Sequence, residues 1–234
     1  MKGYGQFCPV AKAAEVFAER WTPLVLRELL CGSKRFNDLH RGVPRMSSSL
    51  LAQRLRRLEE FGVVQRSAVG NVWEYGLTPA GEDLRPIIMA LGHWGAQWIG
   101  SRLRKDALDP GFLMWDVRRF VHIEKFPSEP VIIYFRFRDA RAGERQWWLV
   151  VENGAADLCR DDPGRDVTLM VDATVRALTE VWTGDRTSEQ ALESREVRVE
   201  GARRDVARLW GWLGSSAFAP TRQRVVQLAA ARKM

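Results

Sequence analysis

Apolar residues recur at helical spacing through most of the first hundred positions and at a spacing of two in the stretches beyond. Val10, Ala13, Ala14 and Phe17 share one side of a helix predicted over 9–18. Thr22-Pro23 reads as a helix start, with threonine as the cap and proline at the first helical position. Leu24, Val25, Leu26, Leu29 and Leu30 carry that helix to Gly32, where glycine suits its end. A short helix is expected around Phe36–Arg41, then a turn at Val43-Pro44, then a helix over Ser47–Phe61 that Gly62 ends. VVQRS and VWEYGL form a hairpin across Val69-Gly70-Asn71. Thr78-Pro79 opens a long helix to about Lys105, carrying Leu84, Ile87, Ile88, Leu91, Trp94 and Trp98. Gly92, Gly95 and Gly100 weaken that helix, and a bend is expected there.

Asp109-Pro110-Gly111 marks the boundary between two domains, 1–108 and 109–234. A helix over Phe112–Val121 is followed mainly by strands. In VIIYFRF (131–137), Val131, Ile133, Phe135 and Phe137 alternate with Tyr134 and Arg136. QWWLVVEN (146–153) turns at Gly154 into AADLCR, and DVTLMVD (166–172) alternates Val167, Leu169 and Val171. Asp172 is the expected cap of a helix through Val175, Leu178, Val181 and Trp182, which Gly184 stops. Thr187 and Gln190 stand at capping-box spacing. VRVEG (197–201) is the last strand, and a helix through Val206, Leu209, Trp210 and Leu213 follows it. The fold class is therefore α+β, with a helical first half carrying one hairpin and a mixed second half.

Composition narrows the partners. The 234 residues hold 36 basic and 29 acidic side chains, a net charge of +7. Residues 1–105 contain 16 basic and 9 acidic residues and so carry the whole excess, while 106–234 contain 20 of each. A basic domain is drawn to polyanions because neutralising phosphates releases condensed counterions; a solvated basic surface is the plainer reading. The longest apolar runs, VIIYF and WWLVV, fall far short of the roughly 20 residues a membrane-spanning helix needs. Lys2, Lys12, Glu15 and Glu19 interrupt the first 30 residues, so a secretory signal is not expected there. Three scattered cysteines, Cys8, Cys31 and Cys159, argue against a disulfide framework and for a reducing cytoplasm. His40, His93 and His122 are isolated, so no metal site is expected. GxSxG, P-loop and HExxH motifs are missing, so an enzyme is not expected, nor a cofactor.

The most informative segment is Ser47–Phe61. Leu51, Leu55 and Leu58 form its buried stripe, and Ser49, Gln53, Arg56, Arg57 and Glu60 fall on the opposite side. Hydroxyl, amide and guanidinium groups are the types that hydrogen-bond base edges and phosphates in a major groove. A short helix before and a hairpin after match the order of a winged helix-turn-helix. An ordinary amphipathic helix with a solvated face would show the same periodicity.

Residues 8–95 resemble the HxlR family of bacterial winged-helix transcriptional regulators. The matching stretches are CPVAKAAEVFAERWTPLVLRELL (8–30), RFNDLHRGVPRMSSSLLAQRLRRLEEFGVV (35–64) and YGLTPAGEDLRPIIMALGHWG (75–95). The resemblance implies homodimers held by the first and last helices of the domain, reading a pseudo-palindromic operator in double-stranded DNA. It gives the reading role to Ser47–Arg57, including Ser47, Ser48, Ser49, Gln53, Arg54, Arg56 and Arg57. It makes Phe36 core and Arg35 a phosphate contact. In the wing, Arg66 and Asn71 are the candidate contacts, although the tip Ala68-Val69-Gly70-Asn71 lacks the family's usual proline and basic residues. In some members the cysteine before the matching proline senses oxidants, which makes Cys8 a candidate redox sensor. A thiolate is favoured at a helix N-terminus, where Cys8 is expected. A small buried side chain that serves local packing is the competing reading.

Residues 130–213 resemble, over a shorter set of matches, the sterol-carrier-protein-like fold. The matches are WWLVVENGAADL (147–158), DVTLMVDATVRALTEVWTGDRTSEQALES (166–194) and VRVEGARRDVARL (197–209), with Arg195-Glu196 where glycine is usual. That resemblance implies a ligand-sensing domain with an apolar tunnel for a small-molecule effector. Ile133, Phe135, Phe137, Val167, Leu169, Leu178, Val181 and Trp182 are the candidate lining residues; filling a core is the alternative role for them. The combined expectation is a cytoplasmic transcriptional repressor. A lipid or apolar-ligand carrier whose basic half docks to acidic surfaces is the alternative.

Overall fold

The computed structural model describes residues 3–100, 103–104 and 107–231. The chain divides into two compact units, Met1–Gly92 and His93–Met234.

The first unit opens with α1 (Pro9–Phe17) and α2 (Thr22–Leu30). Trp21, in a left-handed conformation at φ 79°, caps α2, so Thr22 is the first helical residue and not the cap expected of it. α3 (Phe36–Gly42) and α4 (Ser48–Glu60) follow. The hairpin pairs β1 (Val64–Val69) with β2 (Val72–Leu77) around a two-residue turn, Gly70-Asn71. Gly70 has φ +60°, the conformation that a first position of such a turn requires and that glycine adopts without a steric cost. The core joins Val25, Leu26 and Leu29 of α2, Leu39 of α3 and Ile88 to the stripe Leu51, Leu55 and Leu58 of α4. All three leucines of that stripe are buried, as their spacing requires.

The single long helix expected from Pro79 is instead α5 (Pro79–Glu82), a turn at Asp83-Leu84, and α6 (Arg85–Trp94). Pro86 is the physical reason, because it lacks an amide hydrogen and can occupy only the first turn of a new helix. Beyond α6 the chain makes one π-helical turn, Gly95–Ile99, and Gly100 at φ 65° closes it. The glycine-rich stretch thus ends the helix, and its expected endpoint, Lys105, lies outside the described residues.

The second unit is built on a five-stranded sheet in the order β5-β4-β3-β6-β7, from β3 (Val131–Phe137), β4 (Gln146–Glu152), β5 (Ala155–Cys159), β6 (Leu169–Ala173) and β7 (Val197–Gly201). β3 and β6 run parallel, and the other neighbours are antiparallel. α7 (Pro110–Phe120), α8 (Val175–Thr183), α9 (Ser188–Glu193), α10 (Arg203–Leu213) and α11 (Ala219–Ala231) complete the unit. Val131, Ile133, Phe135 and Phe137 of β3 pack with Leu113 and Met114 of α7, Leu178 and Trp182 of α8, and Leu209 and Trp212 of α10. Ile132, with Trp148 and Val150 of β4, forms a smaller cluster on the opposite face of the sheet, where Tyr134 stacks on Trp148. The fold is a winged helix-turn-helix followed by a mixed α+β unit.

The cap of α8 is not the residue expected. Thr174 caps α8 through its hydroxyl, which accepts the Ala177 amide at 3.1 Å, whereas Asp172 is inside β6. Asp172 is only 3% exposed and is paired with Arg136 and Arg138, because a carboxylate in a central strand needs opposite charge nearby. The capping box of Thr187 and Gln190 is present at the start of α9. At the loop before β7, Arg195 adopts φ 59°, a left-handed conformation that glycine tolerates better.

Candidate nucleic-acid interface

The reading segment is assembled from α3, the turn after it, and α4. Ser47 is the N-cap of α4: its hydroxyl accepts the Leu50 amide at 3.3 Å and lies 3.2 Å from the Ser49 hydroxyl. With the leucine stripe turned inward, Ser47, Ser48, Ser49, Gln53 and Arg56 are exposed. Arg57 is half-buried, bridges to Glu60 at 3.0 Å and lies over the Phe61 ring at 4.4 Å. Arg45, in the turn leading into the helix, is a further exposed cation that pattern reasoning passed over. Its position beside the N-terminus of α4 in sequence was the available signal.

Arg54 does not share the outward face. It stands three residues after Leu51 and one before Leu55, beside the buried stripe, and its side chain is 16% exposed. Its guanidinium pairs with Glu19 at 2.7 Å and donates to the Arg20 carbonyl at 3.2 Å. The Glu19 oxygens have no well-aligned hydrogen-bond donor among the described residues, so the Arg54 charge is what compensates that carboxylate. Arg54 thus holds α4 against the loop between α1 and α2.

A second lock sets α3. Glu28 of α2 is fully buried, and Arg27 donates to its carboxylate through Nη2 at 2.7 Å and Nε at 3.1 Å. The same Nη2 donates to the Gly42 carbonyl at 2.9 Å, tying α2 to the end of α3. Arg35 caps α3 from an exposed position and comes within 3.7 Å of Glu74 on the wing. Phe36 is partly buried against the core. In the wing, Arg66 lies over the Trp73 ring at 4.4 Å, and Asn71 is exposed at the tip.

Residues 16–102 match the family model described as HxlR-like helix-turn-helix. The HTH-type transcriptional regulator YvaP of Bacillus subtilis is 35% identical over 112 residues, which is 95% of its length and 46% of this chain. The chain belongs to the HxlR-like helix-turn-helix family. A second relative, the HTH-type transcriptional regulator sll1512 of Synechocystis, is 33% identical over 98 residues, covering 73% of that protein and 41% of this chain. Among solved structures, the reduced form of the transcriptional regulator YodB from B. subtilis is 29% identical, with a TM-score of 0.36 over 40% of this chain and 95% of that one. By its family match and the two curated relatives, this HxlR-like chain is a transcriptional regulator of the helix-turn-helix type.

The remaining candidate residues fall as follows. Cys8 is the N-cap of α1, where the amides of Ala11 and Val10 hold its thiol below the ordinary thiol range. Of the eight proposed lining residues, Ile133, Phe135, Phe137, Leu169, Leu178 and Trp182 are buried in one cluster, and Val181 packs against it half-buried. Val167 is 44% exposed and lies outside that cluster, because β6 begins two residues later than its alternation suggested. Among the described residues, no helix is long and apolar enough to cross a membrane.

Replacing Arg54 with methionine should weaken operator binding by roughly tenfold while leaving the slope of log affinity against log salt unchanged, because no phosphate contact is lost. A slope reduced by about one would make Arg54 a phosphate contact instead.

Proposed function

We propose that this chain is a dimeric repressor whose paired α4 helices read a pseudo-palindromic operator in double-stranded DNA. The observation that carries the reading is the outward side of α4: Ser48, Ser49, Gln53 and Arg56 are exposed, and Gln53 and Arg56 have no protein partner among the described residues. Side chains that do no structural work are free to bond base edges and phosphates. The exposed cations Lys34, Arg35 and Arg45 lie just ahead of α4 in the sequence, and Arg66 and Asn71 supply the wing. Exposed apolar side chains support the dimer. Phe7 is 99% exposed just before α1, and Val10 is exposed on it. Ile87, Leu91 and Trp94 recur at helical spacing on α6 and are all exposed. Apolar stripes of this kind mark interfaces. Two reader helices would then meet successive major grooves about 34 Å apart.

In this reading the domain over 109–234 is sterol-carrier-like and senses an apolar effector beside α8, where Leu178 and Trp182 share one apolar cluster with the β3 side chains and Val181 packs against it. Effector binding acts by favouring one dimer arrangement over another. The relatives favour a regulator over a lipid carrier. Selection of bound fragments from random duplex DNA tests the operator. An inverted repeat with half-sites one helical turn apart is expected, and a pool without any recurring motif would refute the proposal.

Cys8 is the redox-sensing residue of this scheme. Its thiol is held below the ordinary range by backbone amides, so the thiolate forms at lower pH than in the unfolded chain. Alkylation of Cys8 in the native protein should therefore show a rate midpoint at lower pH than in denaturant. Mild oxidation should release DNA from the wild type and not from Cys8→Ser. Equal sensitivity of the two proteins to oxidant rules out the sensor.

A further inference from the structure

His40 lies near the end of α3, six residues before Met46, which leads into the Ser47 cap of α4. Its Nε2 is 2.7 Å from the Met46 carbonyl oxygen. A carbonyl oxygen only accepts, so Nε2 carries the proton and donates it. The imidazole is half-buried and lies over Phe36, one helical turn earlier, with ring centroids 6.5 Å apart and planes 11° from parallel. Phe36 packs in turn on the core of the first unit, so the imidazole is held on that side. Between His40 and Ser47 the backbone closes on itself twice: the Val43 amide donates to the His40 carbonyl at 3.1 Å, and the Met46 amide to the Val43 carbonyl at 2.9 Å. Pro44 brings no amide hydrogen, and it and Arg45 are exposed. The Met46 side chain is anchored in the core at 2% exposure. The bond from His40 adds the remaining constraint, on the carbonyl of the same residue.

We propose that His40 is a positioning residue of the reader: its bond to the Met46 carbonyl sets the peptide plane that enters Ser47, and so the direction in which α4 leaves the turn. The proposal rests on the reading of α4 as the DNA-reading helix. The Met46 carbonyl and the Ser47 amide belong to one planar unit, so holding the first holds the second. Ser47 then starts the helix. Its hydroxyl accepts the Leu50 amide at 3.3 Å, and its carbonyl accepts the Leu51 amide at 2.9 Å. Ser48 and Ser49, exposed in the first turn, take their positions from that start. Base edges are read at hydrogen-bond distance, so a displacement of about half an ångström in this turn weakens recognition. His40 acts through Met46 and Ser47, not through a contact of its own with DNA.

The test compares His40→Gln with His40→Asn in the full-length protein. Glutamine places an amide nitrogen where the imidazole has Nε2, whereas asparagine places its own one bond short, at the position of Nδ1. In His40→Asn, preference for operator over scrambled duplex should fall roughly tenfold. Amide exchange at Leu50 and Leu51 should quicken by about fivefold, the worth of one neutral hydrogen bond. Affinity for scrambled duplex should stay within about twofold, because no cation is lost. His40→Gln should restore both the preference and the slow exchange. Full preference retained by His40→Asn overturns the proposal. An equal loss in His40→Gln and His40→Asn also overturns it, because the packing of the ring and not its bond would then be the cause. So does a matching loss of affinity for operator and scrambled duplex, since positioning alters discrimination alone. A wild type without preference among duplexes refutes the reading role of α4 itself, a different result from a preference that survives His40→Asn.

Discussion

Replacing Gln53 and Arg56 together with alanine is expected to abolish operator recognition while the protein stays folded. Both side chains project from the side of α4 opposite Leu51, Leu55 and Leu58, and neither has a partner within the chain among the described residues. Their removal should therefore change folding stability by no more than about 0.5 kcal/mol. A well-formed contact from glutamine or arginine to a base edge is worth about 1–3 kcal/mol of discrimination, so losing two per subunit lowers specific affinity by at least about a hundredfold. Non-specific binding should fall far less, because the other cations of the first unit are retained. The measurement is a titration against operator and scrambled duplex at several salt concentrations, with thermal unfolding run in parallel. Undiminished preference for the operator in the double variant would show that another surface reads the sequence.

The second large effect is expected at Gly42. A β-carbon there would lie 1.8 Å from the carboxyl carbon of Glu28 and equally close to one of its oxygens. Glu28 is fully buried and paired with Arg27, so it has no free volume to move into. Gly42→Ala must therefore either push α3 away from α2 or break the buried pair, and breaking such a pair costs about 3–5 kcal/mol. That is a large share of the roughly 5–15 kcal/mol that keeps a domain folded. The first unit should unfold more than about 10 °C earlier, and DNA binding should fail because α3 leads directly into α4. Glu28→Ala in the same chain removes the obstructing carboxylate and leaves Arg27, about a quarter exposed, able to reach water. The double variant should be more stable than Gly42→Ala alone, a coupling that a double-mutant cycle measures directly. An unaltered melting temperature for Gly42→Ala would contradict the packing described.

Periodicity identified the elements that matter most for this function. The leucine spacing of α4 dictates which side is buried and so which side faces outward, because a helix set on a core can bury only one stripe. The two-residue turn of the wing and the alternation along β3 were legible for the same reason: each follows from local geometry. Arg54 and Arg56 are the same residue type two positions apart; the helical period sets Arg54 beside the buried stripe and Arg56 opposite it, but nothing local names the partner of Arg54. Arg54 meets Glu19, thirty-five residues away, and so became a positioning residue. Asp172 likewise has the composition of a helix cap, but Arg136 and Arg138 from a neighbouring segment hold it within a strand.

The boundary between the two kinds of knowledge follows the range of the forces involved. Hydrophobic spacing, caps and turns act over a few residues, so the chain text reveals the helix-turn-helix, the wing and the strand order of burial. Ion pairs such as Arg54 with Glu19 and Arg222 with Asp185, and the buried Glu28 beside Gly42, join residues far apart in sequence. Those pairings come into being only when the fold brings the partners together. They determine which arginines remain available to DNA.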